Sequence, residues 1–203
     1  HKGVISLPGI IEAENFDKGG EESTFHDKDA LDQGGTNYRT DNEGMDIIAT
    51  TDGGYAIGNT TPKEWMEYTV NVTDPGLYAY EATVSSTVTG STFYIQLVNK
   101  DGTLTNLCKV TIPNTKNKNT YKVVTGNLGA NLEAGEQILR FTINTALCNI
   151  DKVELKCIQI NGIGAIMADP SSDNAPLYTP AGVQVDYSYK GIVIKNGKKF
   201  WNK

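Results

Sequence analysis

The chain has 203 residues, 38% of them hydrophobic, with 18 Lys and Arg against 24 Asp and Glu for a net charge of −6. That suffices for one medium domain with a real core, or one domain plus a small appendage. The acidic balance argues against a nucleic-acid partner, whose phosphates need clustered cations, and 2 His with 3 Cys leave little for an imidazole- or thiolate-rich metal site.

Twenty-one glycines against 3 methionines favour a turn-rich β protein. No run of about 18 apolar residues occurs, so no helical membrane span is expected. The opening HKGVISLPG has no long apolar stretch before a small-residue cleavage site, so it does not read as a signal peptide. A start at His1 without Met reads as a piece cut from something longer.

In Glu12-Ala13-Glu14 a strand would place both carboxylates on one face. That pair is either an exposed strand face or a partial cradle for a hard cation, since calcium takes six to eight oxygens at about 2.3–2.6 Å. Residues 19–46 form a long polar loop rich in Gly and acids, and such loops are usually functional or cation-bound. Tyr38 within it is either a lid on the core or an exposed platform for the apolar face of a pyranose.

From there the chain reads as short strands. Trp65–Val72 alternates, and Leu77–Ser85, Ser91–Val98, Asn106–Ile112, Tyr121–Leu128, Gln137–Ile143 and Lys152–Cys157 follow. Asp74-Pro75-Gly76, Thr89-Gly90, Asp101-Gly102, Pro113-Asn114 and Glu133-Ala134-Gly135 punctuate them. No segment carries a 3.6-residue apolar stripe. An all-β antiparallel sandwich or barrel is predicted over residues 1–157.

Residues 158–176 read as a linker, and 177–203 as a small β segment with strands at Leu177–Val185 and Gly191–Phe200. Asn196-Gly197 marks a two-residue hairpin in that segment. After Asp186 the chain holds five Lys and no acid, which leaves −11 on the rest; a solvated hairpin face is the expected reading. Cys108, Cys148 and Cys157 follow no paired spacing, leaving open one disulfide or buried free thiols.

Acids are plentiful (Glu21, Glu22, Asp27, Asp46, Glu64, Glu67), but a glycosidase needs two carboxylates across a sugar-sized gap, which sequence does not display. There is no GxSxG elbow, and the histidines are His1 and His26, so triad chemistry is not expected.

The ordered blocks Ile11-Glu12-Ala13-Glu14-Asn15-Phe16-Asp17, Gly34-Gly35 with Tyr38-Arg39, Met45-Asp46-Ile47, Gly54–Gly58, Glu64–Val72 and Asn149–Leu155 resemble the carbohydrate-binding modules of family 6 across about residues 9–157. The resemblance implies a β-sandwich of jelly-roll type that binds polysaccharide without catalysis, usually beside a glycoside hydrolase catalytic domain in the same chain. It also implies a structural calcium held by Glu12, Glu14 and Asp151, with a main-chain carbonyl around Arg39. It places sugar binding in loops at one end of the sandwich, where Tyr38 matches the stacking tyrosine, Glu21 the hydroxyl-accepting carboxylate and Asn149 the gripping amide.

The chain departs from that pattern at Asn117-Lys118-Asn119-Thr120-Tyr121, where Lys118 stands in place of the family's second stacking aromatic. Aromatic stacking is worth about 0.5–1.5 kcal/mol beyond buried area, so its loss costs roughly tenfold in affinity. Either Lys118 pairs an anionic sugar, or the cleft is silent and the domain is a structural spacer packed on a catalytic domain. Trp65, in a strand block, is expected in the core. The tail Pro176-Leu177-Tyr178 to Lys198-Lys199 resembles the short C-terminal β segment of secreted polysaccharide-degrading proteins of Bacteroidetes. That implies a secreted, periplasmic or cell-surface location and a larger bacterial parent enzyme.

Overall fold

A computed structural model describes residues 3–29, 31–39, 44–160, 176–195 and 198–202, and the chain divides into two compact units, 1–161 and 162–203. The first is all-β. Its strands are β1 (Ile5–Leu7), β2 (Gly9–Glu12), β3 (Phe25–His26), β4 (Ile47–Ala49), β5 (Tyr55–Ile57) and β6 (Trp65–Val72). These are followed by β7 (Gly76–Ser85), β8 (Ser91–Val98), β9 (Leu104–Ile112), β10 (Lys122–Asn127), β11 (Gly135–Ile143) and β12 (Asn149–Ile160).

Two six-stranded sheets form a sandwich. One runs β1-β6-β11-β8-β9 with β3 also on β6; the other runs β10-β7-β12-β5-β4 with β2 also on β12. Every pairing within them is antiparallel except β1 on β6. The alternation predicted from sequence is what closes the core: in β7, Tyr78, Tyr80, Ala82 and Val84 point inward while Ala79, Glu81 and Thr83 point out. Tyr68, Phe93 and Phe141 meet at ring separations of 4.6 and 5.7 Å in the middle. The buried Tyr68 hydroxyl donates to the Ala13 carbonyl at 2.8 Å, so it is satisfied without water.

The sandwich has two distinct poles. At one, Asn149 opens β12 beside Ser85, and Thr60 Oγ1 donates to the Cys148 carbonyl at 2.9 Å. At the other, Leu7 pairs with Val72, Ile160 pairs with Gly76, and Thr73 N donates to the Leu7 carbonyl at 2.8 Å. Residues 5–12 stitch both sheets, since β1 lies on one and β2 on the other.

Two local expectations change. Glu12 ends β2, but Ala13–Asn15 forms a 3-10 turn rather than more strand. The turn buries the Glu14 carboxylate beneath the sheet edge, where a strand would have left it beside Glu12. In the second unit, 177–185 is not one strand but β13 (Leu177–Tyr178) and β14 (Gln184–Val185). Between them Thr179-Pro180-Ala181-Gly182 turns, with Gly182 N bonded to the Thr179 carbonyl at 2.8 Å and Gly182 at φ 80°. Strands β15 (Gly191–Lys195) and β16 (Lys198–Asn202) complete a four-stranded sheet in the order β14-β13-β15-β16. Lys195 pairs with Lys198, the register a two-residue loop requires, although Asn196 and Gly197 themselves lie outside the described residues. So does nearly all of the expected 158–176 linker.

Candidate functional site

The predicted sugar-binding residues fall into three groups near the first pole and its flank. Asn149 is nearly buried, and its Nδ2 donates to the main-chain carbonyl of Lys118 at 3.1 Å. Ser85 Oγ donates to the same oxygen at 2.5 Å. Thr115 Oγ1 holds the Ser86 and Asn117 carbonyls at 2.9 and 2.8 Å, so the 115–120 loop is pinned to the sandwich by its backbone. The Lys118 side chain is exposed, and among the described residues its ammonium has no ion pair, with Glu21 or any other acid.

Glu21 is engaged elsewhere. His26 Nδ1 lies against its Oε1, Asp27 N donates to its Oε2 at 3.1 Å, and Glu22 approaches the same imidazole at 3.1 Å. This is the one group of three His, Cys, Asp or Glu ligand atoms within 4.8 Å of each other among the described residues, and its members contact one another directly.

Tyr38 is half-buried. Its ring lies 4.1 Å from that of Tyr55, and its hydroxyl donates to Asn15 Oδ1 at 3.0 Å. The loop carrying it threads close to β4: Thr36 Oγ1 bonds the Ile47 carbonyl at 3.0 Å, and a Cβ at Gly34 would overlap the Ile47 backbone. Tyr38 is therefore packed against the core and held at its hydroxyl. No hydrogen bond or ring contact joins the Tyr38, Glu21 and Asn149–Lys118 groups to one another among the described residues.

The predicted metal ligands do sense each other. Burial, followed by the nearby Glu12 and Asp151 carboxylates, pushes Glu14 up to about 7, and Glu14 Oε2 is buried without a hydrogen-bond partner. An orphaned carboxylate oxygen beside two more carboxylates fits a hard cation. The ligand atoms of Glu12, Glu14 and Asp151 do not all lie within 4.8 Å of one another, and Asp151 Oδ2 lies 3.8 Å from Lys152 Nζ. Arg39 enters through its side chain: the buried guanidinium donates to the Phe16 carbonyl at 2.6 Å and covers the Phe16 ring at 3.9 Å.

Sequence reading missed two features. Asp27, Asp46 and Glu64, scattered in the sequence, are all buried. They accept from the backbone N–H groups of Asp29, Gln33, Lys28 and Thr61, tying the 27–34 and 59–64 loops together. Burial first, then Glu64 and Asp46, pushes Asp27 up to about 7. Their separation in sequence hid this convergence.

The second is a cleft of about 170 Å³ on the outer face of the β7–β12 sheet. It is lined by Thr50, Thr51, Asp52, Thr83, Asn119, Tyr121 and Asp151. Trp65, as expected, is buried, under the Arg140 guanidinium at 3.7 Å. All three cysteines are free thiols.

Among comparisons with known proteins, the family described as carbohydrate binding module (family 6) matches residues 35–157. The C-terminal family 6 module of LamC, a marine laminarinase from Zobellia galactanivorans, is 22% identical with a TM-score of 0.54 over 72% of this chain and 97% of its own. A Clostridium stercorarium module solved with cellobiose is 21% identical with a TM-score of 0.54 over 77% and 99%. A β-1,3-glucan-binding module from Bacillus halodurans is 20% identical with a TM-score of 0.56 over 76% and 100%. These likenesses establish the β-sandwich jelly roll. No curated protein matches.

Proposed function

We propose a function from one premise, that the chain belongs to the carbohydrate-binding modules of family 6, a non-catalytic family: it holds a polysaccharide and makes or breaks no bond in it. The observation that carries this reading is Tyr38, an aromatic ring backed by Tyr55 and anchored through its hydroxyl to Asn15. Packing fixes that ring in advance, so little freedom is lost when a sugar stacks on it. Asn149 keeps its side-chain carbonyl for a sugar hydroxyl while its amide grips the Lys118 carbonyl, and the Lys118 side chain is exposed to solvent. Glu21 contributes through the lone pairs that His26 and Asp27 leave.

Calcium fits the Glu12, Glu14 and Asp151 carboxylates with the Arg39 carbonyl, and would neutralise the buried oxygen of Glu14. We assign the chain to a secreted or cell-surface bacterial glycoside hydrolase whose catalytic domain it keeps near substrate by raising effective concentration. The resemblance of the 176–199 tail supports that setting. One observation favours the rival spacer reading: the amide of Asn149 is already spent on Lys118.

A glycan array of the full chain in calcium, with and without Tyr38→Ala, tests the proposal. The β-glucan ligands of two structural neighbours make cellulose- and laminarin-type chains the first candidates. Binding lost in the variant supports the loop platform; no binding to any glycan by a folded, calcium-loaded chain supports the spacer.

A further inference from the structure

We propose a second metal site at the turn that leads into β3. Glu21, Glu22 and His26 form a three-ligand seat for a divalent transition ion of the zinc class, using none of the residues read as calcium ligands. Glu21 Oε1 and Glu22 Oε1 both face His26 Nδ1, the latter at 3.1 Å. Their ligand atoms all lie within 4.8 Å of one another. An imidazole nitrogen carries at most one proton, which serves one carboxylate well and leaves the other facing it. A divalent ion serves all three atoms at once, and among the described residues no Lys or Arg pairs with either glutamate.

The backbone builds this convergence. In an extended segment neighbouring side chains point to opposite faces, so Glu21 and Glu22 would diverge. Gly20 at φ 93° and Glu22 at φ 61° turn the chain instead. Glu22 N donates to the Phe25 carbonyl at 2.7 Å and Thr24 N to the Gly20 carbonyl at 3.1 Å, which closes the turn. A glutamate seldom adopts that left-handed conformation, and it persists only where the surroundings enforce it. The imidazole stands on a firmer element: His26 pairs with Trp65 of β6, and the neighbouring Phe25 is buried edge-on against Phe16 at 5.2 Å. Asp27 N donates to Glu21 Oε2 at 3.1 Å, an outer bond that orients the carboxylate whose Oε1 meets the ring.

One ring nitrogen with two carboxylate oxygens suits zinc, whose bonds to such atoms run about 2.0–2.2 Å, better than calcium, which takes six to eight oxygens. Tetrahedral bonds of that length set ligand atoms about 3.4 Å apart, a spacing the two exposed glutamates reach by small side-chain rotations. Water takes the fourth position. The seat is compatible with the sugar role read for Glu21: the ion takes Oε1, while Oε2 keeps Asp27 N and a second lone pair.

The test is calorimetric titration of zinc chloride into the full chain in saturating calcium, with His1→Gln in every sample so that His26 is the only imidazole. One zinc per chain should bind at about 10 μM or tighter. Binding should weaken about tenfold or more in His26→Gln and in Glu22→Gln, with circular dichroism checking that each folds. Nitrogen-15 spectra of the imidazole should place zinc on Nδ1 and the proton on Nε2, a readout that needs neither of those variants. No zinc binding, or affinity unchanged within about twofold in either variant, overturns the site. Ligation through Nε2 does the same, as does binding confined to a parallel titration without calcium, which assigns the ion to the calcium carboxylates. No glycan enters these measurements, so the polysaccharide reading stands or falls separately.

Discussion

The side-chain amide of Asn149 donates to the main-chain carbonyl of Lys118 across 3.1 Å, joining the first residue of β12 to a loop 31 positions earlier. Asn149→Ala removes one of two donors to that oxygen and leaves Ser85 alone to hold the loop. The expected cost is about 1 kcal/mol, a fall of some 2–4 °C in melting temperature, with a larger relative loss of glycan affinity. Asn149→Asp, which sets a nearly buried carboxylate against that carbonyl, should be less stable than the alanine variant; differential scanning calorimetry decides it.

Calcium should act as a folding ligand of the sandwich. Chelation should lower the melting temperature by about 5–10 °C, the effect of a ligand present at some hundredfold over its dissociation constant. Glu14→Gln should erase the difference between calcium and chelator, because the buried Oε2 is the atom left without a partner.

Asp27 sets a pH dependence whose sign is opposite to that of an ion-paired acid. Its folded-state pKa is pushed by burial from 3.8 to about 7, so the proton favours the folded chain. That contribution is complete below 3.8 and is lost as pH rises through 7, a decline of about 1–2 kcal/mol once solvent screening near the loops is allowed for. Asp27→Asn keeps an acceptor for Asp29 N and removes the titration. Urea titrations at pH 5 and 8 should show a smaller difference in this variant than in the parent.

Arg140 stacks on Trp65 at 3.7 Å and bonds Glu67 through Nε at 2.9 Å and Nη2 at 2.5 Å. Arg140→Ala both uncovers the indole and strands a buried carboxylate, with an expected loss of about 3 kcal/mol. Trp65 emission should shift to longer wavelength. The double variant Glu67→Gln, Arg140→Met should recover part of the loss, since no charge is left unpaired.

Burial pushes the thiols of Cys108 and Cys148 up to about 11 and 12, so little thiolate exists at pH 8. Ellman's reagent should leave both unreacted for hours in the native chain and titrate all three cysteines in denaturant.

The strands were legible because alternation is a local property: Trp65–Val72 and Ser91–Val98 are bounded in the structure where the sequence placed them. Gly34-Gly35 and Tyr38 signalled a loop for a physical reason, the close approach to Ile47 that excludes a side chain at Gly34. The 3-10 turn at Ala13–Asn15 left no such mark: it breaks the strand between Glu12 and Glu14 with neither Gly nor Pro to signal it. The same holds for Asp27, Asp46 and Glu64 and for the cleft under Asn119 and Tyr121, which exist only once distant loops meet. Residue identity at Lys118 was plain from the sequence. That its backbone, rather than its ammonium, makes the contacts to Ser85 and Asn149 was not.

The separation of the two poles has a practical reach. Leu7 and Ile160 both lie beside the turn at 73–76, while Asn149 and the 115–120 loop occupy the other end. The last strand of the sandwich therefore starts among those loops and finishes a full strand length away from them, so a probe placed at its far end reports on the fold without touching the loops.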